Sequence, residues 1–273
     1  AMFSIGVSGV FISLGPAVFD RIFGRLMPFL AVTMAVATYL ILPALNEFQF
    51  NYKAINENPA HAIAIFLVIL AIISTPFLIA GLIIASLFSR FADKIQSLYF
   101  WDLVGAAAGC VMILFTVEHY GAPGLLILCT ATALISAAFF VQIRALSVIL
   151  IVLAVAIGVK PLIRETPYNI DPHMDKRGFA HYFHNDKIEH SVWDPVSSID
   201  IVDFRGGIKW IAYDGGTQTS YYYKFDGDFK ALLSNLDELK TTEFWGPYVL
   251  ASHYLKRQTK QKVLIIGAAG GQE

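Results

Sequence analysis

The sequence is short of charge. Only 15% of its 273 residues are Asp, Glu, Lys or Arg, and the formal net charge is −1. That balance carries no basic footprint, so nucleic acid is not an expected partner. Cysteine is scarcer still. Cys110 and Cys129 are the whole complement, each inside an apolar run. They read as small buried hydrophobes, which excludes a disulfide framework or a cysteine metal pair. The start also lacks a basic region ahead of its apolar stretch, so no cleavable-signal pattern is present. The expectation is that the chain begins partway through a membrane region.

Apolar residues are abundant, at 56%, and the mean hydropathy is +0.59. The charges that exist are unevenly spread: 28 of 41 follow Ile163. Before that point, runs of about 20 mostly apolar residues suit bilayer-crossing helices. By that criterion about six spans are expected, at 2–19, 26–45, 62–88, 100–117, 122–143 and 145–163. Pro76 sits near the middle of the third, where a kinked span is expected in preference to two half-spans. Repeated runs of this length argue against a water-soluble helical core.

Within "YFWDLVGAAAGC" (99–110), Gly105 and Gly109 form a GxxxG pair with alanines between. Small residues let helix backbones approach closely, so packing is the expected role. Asp102 has two readings: an N-cap at headgroup level beside Tyr99 and Trp101, or an intramembrane carboxylate with a partner. Arg21, Arg25, Arg90, Lys94 and Arg144 occupy alternate loops, which the positive-inside rule assigns to the cytoplasm. If all six runs cross, the segment after Ile163 then falls outside, where a cytosolic nucleotide is out of reach.

The stretch 164–187 is polar, with Pro167 and Pro172, and reads as a connector. His173, His181, His184 and His190 have no helical spacing and no cysteine or carboxylate set, so no metal site is expected. "SSIDIVDF" (197–204) and "IKWIAYD" (208–214) alternate with period two around the Arg205–Gly206–Gly207 turn signal, which predicts a β-hairpin. Ile199 and Ile201 alternate there with Val202 or Asp203. "TQTSYYYKF" (217–225) predicts a third strand, its tyrosines belonging to the sheet. Two helices are expected at 228–239 and 243–255. Last, "VLIIG" predicts a buried strand entering a corner of Gly267, Ala269, Gly270 and Gly271. Missing side chains there expose backbone N–H groups to a ligand, at the start of a helix whose dipole favours anionic groups. The pattern is weaker than a full GxGxxG. The acidic ribose-binding residue expected about 20 residues later lies beyond Glu273.

Taken in order, "TPFLIAGLIIASLFSR", "LYFWDLVGAAAGC", "GAPGLLIL", "WIAYDGGTQTS" and "VLIIGAAGGQE" resemble the membrane-embedded spermidine synthase-like proteins of bacteria. The resemblance implies a multi-helix transmembrane bundle at 1–163. A linker and small β-rich subdomain follow at 164–256, and a truncated Rossmann-like start at 257–273. It implies decarboxylated S-adenosylmethionine or S-adenosylmethionine as cosubstrate, without a metal. Gly267, Ala269, Gly270 and Gly271 match the cofactor loop, Gln218 a glutamine near the cofactor's amino-acid end, and Asp214 with Gly215 the turn that positions it. Implied partners are the bilayer and putrescine or another polyamine, with a homodimer left open, in the bacterial inner membrane. The catalytic residue is unassigned, because the family's catalytic aspartate follows this glycine corner. The soluble synthases' Tyr-His-Glu is absent from "GPYVLASHYL", although His253 falls where a later family histidine does. That departure keeps a membrane transporter or scaffold with a non-catalytic domain as the alternative. The expectation for 1–273 alone is no cofactor binding.

Overall fold

The computed structural model describes residues 2–51, 54–163, 170–171, 188–205, 208–215, 218–223 and 234. Two compact units divide the chain: 1–175 with 193–195, and 176–192 with 196–273.

The first unit is helical. Its elements are α1 (Met2–Leu14), α2 (Pro16–Glu47), α3 (Ala54–Glu57), α4 (Pro59–Arg90), α5 (Ile95–Phe140) and α6 (Arg144–Leu162). Four helices are long and apolar enough to cross a membrane, against the six spans expected: Pro16–Glu47, Pro59–Arg90, Ala92–Phe140 and Arg144–Pro161. The difference has two causes. The first expected run is divided at Gly15–Pro16, where Pro16 has no N–H to continue a helix and instead opens α2. The 13 residues of α1 reach about 20 Å, short of a hydrocarbon core of about 30 Å. The fourth and fifth runs are two arms of one element, α5, broken only at Gly121 (φ 62°, ψ 177°). Glycine alone adopts that conformation without steric cost.

The break is sharp. As a straight rod α5, with 46 residues, would be about 69 Å long. Yet both its ends lie near the start of α2. Arg90, just before α5, pairs with Asp20, and Gln142, just after it, comes within 3.8 Å of a β-carbon built on Gly24. The second arm and α6 then run antiparallel. Ser147 Oγ donates to the Ala138 carbonyl at 2.9 Å, and a β-carbon at Gly158 would lie 3.2 Å from Ala131 Cβ.

The packed core uses one stripe from each helix: Met27, Leu30, Ala31 and Ala35 of α2, Ile79 and Ile83 of α4, Ala131, Leu134 and Ala138 of α5, and Leu150 and Ala154 of α6. Its many alanines let backbones approach, the main source of helix association where lipid is as apolar as the side chains. The closest approach is Gly81 to α1. A β-carbon there would overlap Ser8 Oγ and lie 3.0 Å from Ile5 Cα. α4 is one continuous helix through Pro76 and not two half-spans.

The second unit holds a four-stranded sheet, β1 (Ile188–Trp193), β2 (Ser198–Arg205), β3 (Ile208–Tyr213) and β4 (Gln218–Tyr223), in the order β1-β2-β3-β4; Trp193 itself groups with the first unit. The expected hairpin is β2–β3, antiparallel, with Ile199 opposite Tyr213 and Ile201 opposite Ile211. The expected third strand is β4, antiparallel to β3. The expected helices at 228–239 and 243–255, and the Rossmann-like start at 257–273, lie outside the described residues.

Candidate functional site

Site residues expected from the sequence divide into two groups. Gly267, Ala269, Gly270 and Gly271 lie outside the described residues. Asp214 and Gln218 flank one turn: β3 ends at Tyr213, β4 begins at Gln218, and those two residues are paired across the ladder. Asp214 (φ 47°) and Gly215 (φ 66°) both take the left-handed conformation. Aspartate and glycine are suited to it, one through local hydrogen bonding and the other through its missing β-carbon.

Asp214 also closes the β2–β3 pair. Its N–H donates to the Ser198 carbonyl at 2.8 Å, and its Oδ1 accepts from the Ser198 N–H at 3.0 Å. One carboxylate oxygen is therefore committed to the fold of the turn.

Asp200, which the sequence reading passed over, lies on the inner face beside Val202. It is 7% exposed, and Val202 and Ala212 are fully buried. Ser198, Asp200 and Val202 share that face by period two, with Ile199 and Ile201 half-buried on the other. Burial pushes the Asp200 carboxyl above its ordinary value, and the nearby Asp214 carboxylate pushes it the same way. A hydrogen bond with the Ser191 side chain partly offsets both. The detectable signal was a carboxylate in phase with Val202.

At the sheet's outer surface, Lys209 of β3 forms an ion pair with Glu189 of β1 and lies 3.8 Å from Asp203 of β2. His190 is an exposed residue of β1; His173, His181 and His184 lie outside the described residues. No group of three or more His, Cys, Asp or Glu poised to hold a metal occurs among the described residues.

In the membrane unit, Asp102 lies inside α5, well past the Lys94 cap position, so its N-cap reading is corrected. The helix simply starts earlier, at Ile95. Asp102 is exposed and has no partner among the described residues. Gly105 and Gly109 have nothing within 4 Å of a built β-carbon, so among the described residues they pack no helix. The close-approach role expected of them belongs to Gly81.

No family model matches this chain, and no curated protein or solved structure matches it.

Proposed function

We propose that the chain belongs to a membrane-embedded transferase of the spermidine synthase type, seated in the bacterial inner membrane. It would use decarboxylated S-adenosylmethionine or S-adenosylmethionine. The observation that carries the reading is the Asp214–Gly215 turn. Asp214 and Gly215 are both left-handed and Gln218 pairs with Tyr213; the family resemblance implies that this glutamine lies near the cofactor's amino-acid end. The ordered motifs and the apolar helices ahead of them support it. In the reaction, an amine nitrogen attacks the carbon bonded to the sulfonium. The C–S bond breaks, its electron pair stays on sulfur as a neutral thioether leaves, and a carboxylate takes the amine proton. The protein's work is alignment of the two reactants. The corner at Gly267, Ala269, Gly270 and Gly271 would hold the cofactor.

Calorimetric titration of the full-length protein in nanodiscs tests this. Micromolar binding of either sulfonium compound is expected, weakened about tenfold or more by Gln218→Ala, the size of one lost polar contact to a charged group. No binding of either compound overturns it.

One observation favours the alternative, a membrane transporter or scaffold. The Asp214 carboxylate already serves Ser198, so the turn is satisfied without a ligand. Under that reading the same titration is flat.

A further inference from the structure

All but one of the described basic residues of the helical unit gather at one end. Arg21 and Arg25 lie near the start of α2, Arg90 ends α4, Lys94 precedes α5 and Arg144 opens α6. Two contacts draw these helix ends together: the Arg90–Asp20 ion pair and the approach of Gln142 to Gly24. All five side chains are exposed. Arg90 is held by Asp20, whereas Arg21, Arg25, Lys94 and Arg144 have no ion-pair partner among the described residues. Five cations against Asp20 and Asp93 leave a formal charge of +3 at this end. Among the described residues, the opposite helix ends carry Glu47, Glu57 and Glu118 against Lys160.

An aromatic layer marks the same level. Phe23 meets Phe91 edge-on at 5.9 Å, and the Arg90 guanidinium lies 5.8 Å from the Phe23 ring centre. Next to the cations, Ile22, Phe29, Phe91 and Ile143 are exposed apolar side chains. Guanidinium groups bind phosphodiesters through paired N–H donors, and the apolar side chains beside them suit acyl chains. A soluble anion would use only the first of these features.

We infer that this basic rim is a docking surface for anionic phospholipid headgroups. The inference rests on the membrane reading of the apolar helices. Basic clusters beside membrane helices attract anionic lipid by about a factor of five for each engaged cation.

The test has two stages. The full chain is first floated, after an alkaline wash, with vesicles of phosphatidylcholine alone or mixed with phosphatidylglycerol. It is then released and its retained lipids are identified by native mass spectrometry. Flotation with both vesicle types is expected, with phosphatidylglycerol retained over phosphatidylcholine about fivefold or more. The combined variant Arg21→Gln, Arg25→Gln, Lys94→Gln, Arg144→Gln should float equally and lose the preference. Lys160→Gln, at the other end, should keep it. Free glycerol phosphate should not compete. Equal retention of the two lipids, a preference surviving in the combined variant, or competition by glycerol phosphate overturns the inference and leaves the membrane reading standing. A chain that floats with neither vesicle overturns both.

Discussion

Asp214 and Ser198 hold each other twice, once through backbone and once through side chain, and so fix the end of the β2–β3 ladder where the next turn begins. The turn that leads to Gln218 is therefore built on β2, a strand that is not part of the β3–β4 hairpin itself.

Asp214→Ala should destabilise the sheet by about 2 kcal/mol. It adds the cost of a left-handed alanine to the loss of an acceptor for the Ser198 N–H. Asp214→Asn, which tolerates the conformation and keeps an acceptor, should stay within about 0.5 kcal/mol of the parent. Amide exchange at Ser198 reads both, and equal protection in the alanine variant would contradict the double contact.

Asp200 gives the sheet a pH dependence of definite sign. Its folded carboxyl titrates above the ordinary value of 3.8, so the folded state keeps a proton the unfolded chain has lost. Sheet stability is therefore greatest below that value, falls as pH rises through the window up to the folded pKa, and is level above it. Asp200→Asn should remove this slope and exceed the parent in stability at neutral pH. Urea titrations across acid and neutral pH, followed by sheet circular dichroism, check it. A parent whose stability rises through the same window would refute the assignment.

The helical unit separates two kinds of glycine. Gly81→Ala should cost about 1–3 kcal/mol, because the new methyl group meets Ser8 and the Ile5 backbone. Gly105→Ala and Gly109→Ala should be neutral or stabilising by up to about 1 kcal/mol, since helix propensity improves and none of the described residues is displaced. Thermal midpoints of the three variants in the same micelle rank them. A loss at Gly105 matching that at Gly81 would count against the packing described.

Gly121→Ala should cost about 1–3 kcal/mol and open α5, since an L-residue is strained at φ 62° and ψ 177°. Spin labels at positions 96 and 142 measure the effect. Their separation should be short in the parent and longer in the variant. In oriented vesicles, cysteines at positions 22, 92 and 142 should react from one side and cysteines at 48 and 163 from the other; if the first side is the cytoplasm, the segment after Ile163 lies outside and the transporter or scaffold reading replaces the transferase.

Apolar run length is a local property, and for that reason most of the long helices were visible in the residues alone. The number of separate helices was not, because it turned on single positions. Gly15–Pro16 divides one run, and between the runs 100–117 and 122–143 only Gly121 breaks α5. The β2–β3 hairpin followed from period-two alternation, and β4 from the "TQTSYYYKF" stretch. Which face lies inward did not follow, since Ile199 and Ile201 outweigh Asp200 in hydrophobicity while Val202 and Ala212 set the buried side. GxxxG pointed to a close approach at Gly105 and Gly109, yet the crowded glycine is Gly81. Its partner, Ser8, comes from a different helix, and no spacing within α4 encodes it.

The first arm of α5 has a consequence for biogenesis. From Ile95 to Phe115 nearly every side chain is exposed, so this stretch owes little of its stability to neighbours in the chain. Helices that are stable in lipid individually can partition before any bundle assembles. This arm should then enter the bilayer autonomously during synthesis. Arm two, whose inner stripe needs α2 and α6, would settle afterwards, with Gly121 as the joint between an early and a late event.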